Sequence, residues 1–191
     1  MGQVSNEIFY HIQKIKPEND SNKFIVGKEY TIGSKNNPFF DYFYHFGFPN
    51  AIDCAQMKQL ILDYQLFARE ILFEEVRRES YPDKPSRQKC LWLIPNTPKL
   101  KEAIDFWLTQ IFFNEEAKPV EILKLSCTGN VFLANQCYLQ NYFGHFTKYK
   151  ENAHKYWSGK ETSTASLFLE ELFIGKIKVL DVFSSIHDAK I

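Results

Sequence analysis

The feature that most constrains this chain is a change of period at Asp53. From there Met57, Leu60, Ile61, Tyr64, Phe67, Ala68, Ile71 and Leu72 recur at intervals of three and four, the spacing of a long amphipathic helix. Asp53 with Gln56 three residues later suits a capping box, and Pro82 sets the latest end of the helix. The stretch that follows, YPDKPSRQKCLWL, is polar and stiffened by two prolines before it turns apolar at Cys90. Residues 90–94 then read as a short strand. Thr97-Pro98 places an N-cap and a first-turn proline before a second helix carrying Leu100, Ile104, Trp107, Leu108 and Ile111.

The rest of the chain supplies strands. Residues 8–15 alternate, with Ile8, Tyr10 and Ile12 on one face and Phe9, His11 and Gln13 on the other. A polar turn over 17–23 leads to a second extended piece, 24–32. Next comes NNPFFDYFYHFGFPN, whose seven aromatics between Phe39 and Phe48 are punctuated by proline and glycine, which argues for a loop. Residues 120–127 and 131–138 read as a strand pair around a turn at Thr128-Gly129-Asn130. A short helix over 148–157 stops at Ser158-Gly159, and two final strands, 167–174 and 176–183, hinge at Gly175. This order predicts an α+β fold, a mixed or antiparallel split sheet flanked by helices. With 191 residues, 45% of them hydrophobic, residues 1–191 can close one core as a single domain.

Lys+Arg and Asp+Glu both number 23, so no summed field draws the chain to nucleic acid or to an anionic membrane. Cys54, Cys90, Cys127 and Cys137 lack CxxC spacing and sit among apolar or aromatic neighbours, which reads as reduced, buried thiols. The N-terminus lacks a secretion-signal pattern and no apolar run approaches membrane-spanning length, so a soluble, cytoplasmic protein is expected. The five histidines have no pair at metal-ligand spacing. GxGxxG, GxxxxGK and GxSxG are absent, which removes the usual nucleotide and esterase signatures.

Three constellations could carry chemistry. His11 in FYHI lies near a strand centre, where the strand would hold its ring rigid toward a polar ligand, or it is simply a satisfied core histidine. Arg87 in PSRQKCLWL offers a planar charged fork to a phosphate or carboxylate, or else pairs with an acid such as Glu75 or Glu79. In LFLEELFIGKIKVLDV a Glu-Glu pair interrupts an apolar run. Period two puts Glu170 with Leu172 and Ile174 and Glu171 with Phe173, so one carboxylate points inward or both reach water at a strand end.

Taken in order, FYHI, CLWLIPNTPKLKEAIDFW and LEELFIGKIKVL resemble the ADP-ribosyltransferase-like fold: a first strand with a histidine, a middle strand with an aromatic, and a late strand opening on a glutamate. EEVRRESYPDKPSRQKCLWL, AHKYWSG and EELFIGKIKVL together also resemble an uncharacterised bacterial family, dimeric in its expected state and related to that fold. The resemblance implies NAD as substrate, with ADP-ribosyl transfer or NAD hydrolysis as the reaction. It selects Glu170 as the catalytic carboxylate and Trp92, where the family has tyrosine, as the ring that stacks on nicotinamide. It makes His11 a hydrogen-bonding partner of the dinucleotide, Arg87 a partner of its pyrophosphate, and residues 160–165 the acceptor-selecting loop. A non-catalytic homodimeric module, associating through the rings of Phe39 to Phe48, is the competing expectation. An RNA-end binding or processing role is a third, which the zero net charge disfavours.

Overall fold

The computed structural model describes residues 1–45, 53–112, 120–140, 146–160, 167–185 and 188. Its frame is a five-stranded antiparallel sheet in the order β1-β4-β5-β2, with β3 also pairing with β5. The strands are β1 (Gly2–Lys14), β2 (Glu29–Ile32), β3 (Leu91–Leu93), β4 (Val120–Asn135) and β5 (Leu169–Phe183). Among the described residues there are also four α-helices, α1 (Pro38–His45), α2 (Cys54–Ser80), α3 (Leu100–Phe112) and α4 (Phe146–Ser158), and this is the expected α+β class. Among the described residues no helix is long and apolar enough to cross a membrane.

The sheet curls back on itself. β1 pairs with β4, β4 with β5 and β5 with β3, and Ile94, just past β3, exchanges two backbone hydrogen bonds with Tyr10 of β1 at 2.8 and 3.5 Å. Its inner face is packed with Phe9, Leu93, Leu123, Leu125, Phe173 and Val179, and Phe24, Tyr30 and Ile32 pack against them. The outer face carries the helices. α3 lays Leu100, Ile104 and Trp107 over Tyr10, Ile12 and Ile122, while Phe73 of α2 and Tyr156 and Trp157 of α4 cover Phe132, Ala134 and Leu172.

Two long strands replace four expected short ones. β4 runs unbroken for 16 residues and β5 for 15. The glycines that read as a turn and a hinge, Gly129 and Gly175, stand opposite each other in register. A Cβ on Gly129 would meet Gly175 Cα at 2.8 Å, and one on Gly175 would meet Gly129 Cα at 2.7 Å. Their missing side chains let the two backbones close together, a strand use of glycine that a turn reading overlooks.

A second correction concerns the aromatic segment expected to be a loop. Its first half is helix α1, because Asn37 caps it, accepting from Phe40 N at 3.2 Å, and Pro38 occupies the first turn, where its missing N–H costs nothing. Phe40 is fully buried whereas Tyr42 and Tyr44 are about half exposed at 49% and 48%. Phe46 and Phe48 lie outside the described residues, as does the acceptor-loop expectation from 161 onward. α2 starts as read, with Asp53 accepting from Gln56 N at 2.8 Å, and ends at Ser80 with Tyr81 as its C-cap, before Pro82. α4 ends on Gly159 at φ 63°, the left-handed stop that its Ser-Gly signal predicts. Cys90 and Cys127 are buried free thiols, but Cys54 is exposed and Cys137 is only half-buried, against the expectation for all four.

Candidate functional site

The rigid lead between α2 and β3 is pinned at several points. Arg77 holds Glu74 with two hydrogen bonds at 2.8 and 3.0 Å and donates to the carbonyl of Lys84 at 3.0 Å, while Ser86 Oγ donates to Glu74 at 3.0 Å. Asn37 donates to the carbonyls of Arg87 and Cys90 at 2.9 and 3.1 Å. Fixed from both sides, the turn directs Arg87 inward beneath α2, where it is 6% exposed.

There Arg87 meets carboxylates from two elements. Its Nε donates to Glu70 Oε2 of α2 at 2.9 Å, and its Nη1 reaches Glu170 Oε1 of β5 and Tyr156 Oη of α4, the latter at 2.6 Å. Tyr156 in turn donates to Glu170 Oε1 at 2.5 Å. Arg69 extends the cluster, donating to Glu70 at 2.7 Å and to the carbonyl of Leu139. The guanidinium of Arg87 lies over two rings, 5.2 Å from the centre of Tyr156 and 5.6 Å from that of Trp92. Glu70, Tyr156 and Glu170 are buried at 2%, 1% and 4% exposure.

Two arginines and two glutamates cancel in formal charge, which lowers the cost of burying them together. Burial opposes ionisation of Glu70, but the charges of Arg87 and Arg69 overcome it and hold the carboxyl below its usual range. Burial likewise works against the charge on Arg87, and Glu170 and Glu70 outweigh it, so the guanidinium is protonated at any ordinary pH. The Tyr156 phenol is pushed well up, first by burial and also by Glu170, so it stays a neutral donor. The cluster ties α2, the 81–90 turn, α4 and β5 into one unit.

The opposite face of the sheet holds the other candidates. His11 pairs in register with Leu123 and turns its ring edge to Phe24 at 6.1 Å, on the inner face. Its Nδ1 is 2.8 Å from the carbonyl of Trp92, which only accepts, so Nδ1 carries the proton. Burial lowers its pKa to about 4 and leaves the ring neutral. Glu171 pairs with Leu133 and with Leu93, also on the inner side. Burial, helped by Glu7, raises its pKa to about 7, and its Oε2 is buried with no hydrogen-bond partner.

Arg87, Trp92 and Glu170 therefore come together, and His11 does not join them. Beyond the register shift between Val4 and Glu7, Phe9 and His11 of β1 share the inner face with Glu171 and Phe173, whereas Glu170 faces the helices, so the sheet separates His11 from Glu170. Arg87 does pair with acids, but with Glu70 and Glu170 in place of the expected Glu75 and Glu79, which are exposed. Glu70, Arg69 and Tyr156 were not singled out by sequence. The signal was available for the first two: a charged pair set among Phe67, Ala68, Ile71 and Leu72 raises the same desolvation problem as Glu170-Glu171. Among the described residues no group of three His, Cys, Asp or Glu is placed to hold a metal.

A second surface lies on the outside of α1 and α2. The apolar residues of α2 divide into two stripes: Leu72, Phe73 and Val76 face the protein, while Met57, Ile61, Tyr64 and Ile71 are exposed at 51%, 54%, 49% and 39%. Beside them Tyr44 of α1 packs edge-on to Phe67 at 5.9 Å. Tyr44, Ile71, Glu75, Arg78, Glu79 and Gln88 line an open groove of about 400 Å³ between the two helices.

A family described as "Protein of unknown function (DUF2441)" matches residues 9–188, and the chain belongs to it. No curated protein matches the chain.

Proposed function

We propose that this member of the family is a non-catalytic, homodimeric interaction module whose Arg87–Glu170 cluster is an internal brace. The observation that carries this reading is the exposed apolar stripe of α2: Met57, Ile61, Tyr64 and Ile71 stand 39% to 54% exposed on one long helix, with Tyr44 beside them. A contiguous patch of this kind on a folded protein is the mark of an association surface. The closed cluster supports the non-catalytic half. Glu170 already accepts from Arg87 and Tyr156 and is 4% exposed, so its carboxylate is committed to neighbours. Sedimentation across the micromolar range tests the reading. It predicts reversible self-association, and a single monomer at every concentration rejects it.

One observation favours a second reading, NAD binding with ADP-ribosyl transfer or NAD hydrolysis. Three of the four residues that the ADP-ribosyltransferase resemblance implies, Arg87, Trp92 and Glu170, belong to one cluster. In this reading the Arg87–Glu170 contact opens on binding, which frees the guanidinium for pyrophosphate and the carboxylate for ribose. Calorimetry with NAD decides it: binding that Glu170→Gln abolishes supports the reading, and absence of heat together with an unshifted melting temperature removes it.

A further inference from the structure

We propose that α2 pairs antiparallel with α2 of a second copy about a two-fold axis near residue 66, each partner seating its Met57-Lys58 end in the groove beside Ile71 and Glu75 of the other. The inference deepens the self-association reading and rests on it. The exposed apolar positions and Ala68 follow one another at steps of four, three, four and three (Met57, Ile61, Tyr64, Ala68, Ile71), which is the seam spacing of paired helices and not the broader stripe of a helix lying on a core. From Met57 to Ile71 the seam spans about 21 Å at about 1.5 Å per residue.

Size and charge select the partner and its direction. In an antiparallel pair centred near residue 66, Ile61 meets the partner's Ile71 and the large Tyr64 meets the small Ala68, each contact occurring twice by symmetry. At both ends Lys58 of one copy comes beside Glu75 of the other, and both residues are exposed. A parallel pair would set Lys58 against Lys58 and Glu75 against Glu75, which like-charge repulsion disfavours. The groove of about 400 Å³ has the chemistry this end requires, with Ile71 and Tyr44 to receive the Met57 side chain and Glu75 and Glu79 to receive the Lys58 ammonium, while Arg78 in the same lining is already paired with Glu74 at 3.3 Å. Because the surface is self-complementary, the assembly closes at two copies.

The test is charge reversal on the full chain, read by sedimentation equilibrium, with circular dichroism to establish that these surface variants fold. Lys58→Glu alone and Glu75→Lys alone are each expected to weaken the dimer by about tenfold or more, since each turns two attractions into two repulsions. The double variant K58E/E75K restores the original affinity, and Ile61→Asp abolishes association. A double variant no tighter than the single ones overturns the inference. So does a dimer indifferent to all four changes, an outcome that leaves self-association standing and moves it to another surface. A wild-type chain that is monomeric throughout rejects the self-association reading itself.

Discussion

Arg87 and Tyr156 both donate to the same carboxylate oxygen of Glu170, beneath a roof of helices that leaves none of the three more than 6% exposed. The arginine that the sequence delivers to the mouth of β3 is thus directed into the protein, and its charge is answered there by Glu70 and Glu170.

Neutrality of this cluster makes its members interdependent. Glu170→Gln leaves one uncompensated positive charge and Arg87→Met one negative charge. Each is expected to cost about 3–5 kcal/mol, the range for breaking a buried ion pair. The double variant removes one charge of each sign and leaves Arg69 with Glu70, so its loss should fall short of the sum of the single losses by more than about 1 kcal/mol. Urea unfolding of the three variants measures this directly.

Glu171 makes stability depend on pH in a direction opposite to that of His11. The folded carboxyl titrates at about 7 against an ordinary 4.5, so its contribution is complete below the ordinary value and is lost as pH rises through about 7. His11, lowered from 6.5 to about 4, contributes above the former value and loses that contribution as pH falls toward the latter. The two slopes oppose each other where their ranges overlap. Glu171→Gln removes one of them: its stability relative to the parent should rise between the two Glu171 values by on the order of 2 to 3 kcal/mol and then level off. A difference that does not change with pH would contradict the assignment.

The facing pair Gly129 and Gly175 should tolerate no side chain. Gly129→Ala sets a methyl group against Gly175 Cα at 2.8 Å, a backbone atom that cannot rotate away. A loss of about 2–4 kcal/mol is expected, with a matching fall in thermal midpoint. An unchanged midpoint would mean that the strands are free to part there.

Much of the fold was legible because local signals and tertiary demands agree in it. Asp53 and Pro82 bound α2, Gly159 stops α4, and the apolar run around Leu91 and Leu93 is a strand. Legibility failed where one residue type has two uses. Gly129 and Gly175 permit close strand approach as well as turns, and only the strand opposite distinguishes the two. Pro38 starts a helix as readily as it interrupts one, and Asn37 decides the case through contacts with Arg87 and Cys90, fifty or more residues away. The same limit governed the site. Period two separated Glu170 from Glu171 correctly, but the face that β1 turns to β5 depends on a sheet that curls until Ile94 meets Tyr10, so His11 could not be placed from its own neighbours. On α2 the periodicity was sound, yet a helix with apolar residues on two sides does not announce which side is covered.

If the outward stripe of α2 joins two copies of this chain, sedimentation equilibrium distinguishes the wild-type protein from Ile61→Asp. The wild-type mass is expected to climb with concentration toward twice 22.5 kDa and the Ile61→Asp mass to stay at 22.5 kDa. A wild-type mass fixed at the single-chain value across the micromolar range, or an Ile61→Asp variant that dimerises as strongly as its parent, would contradict that expectation.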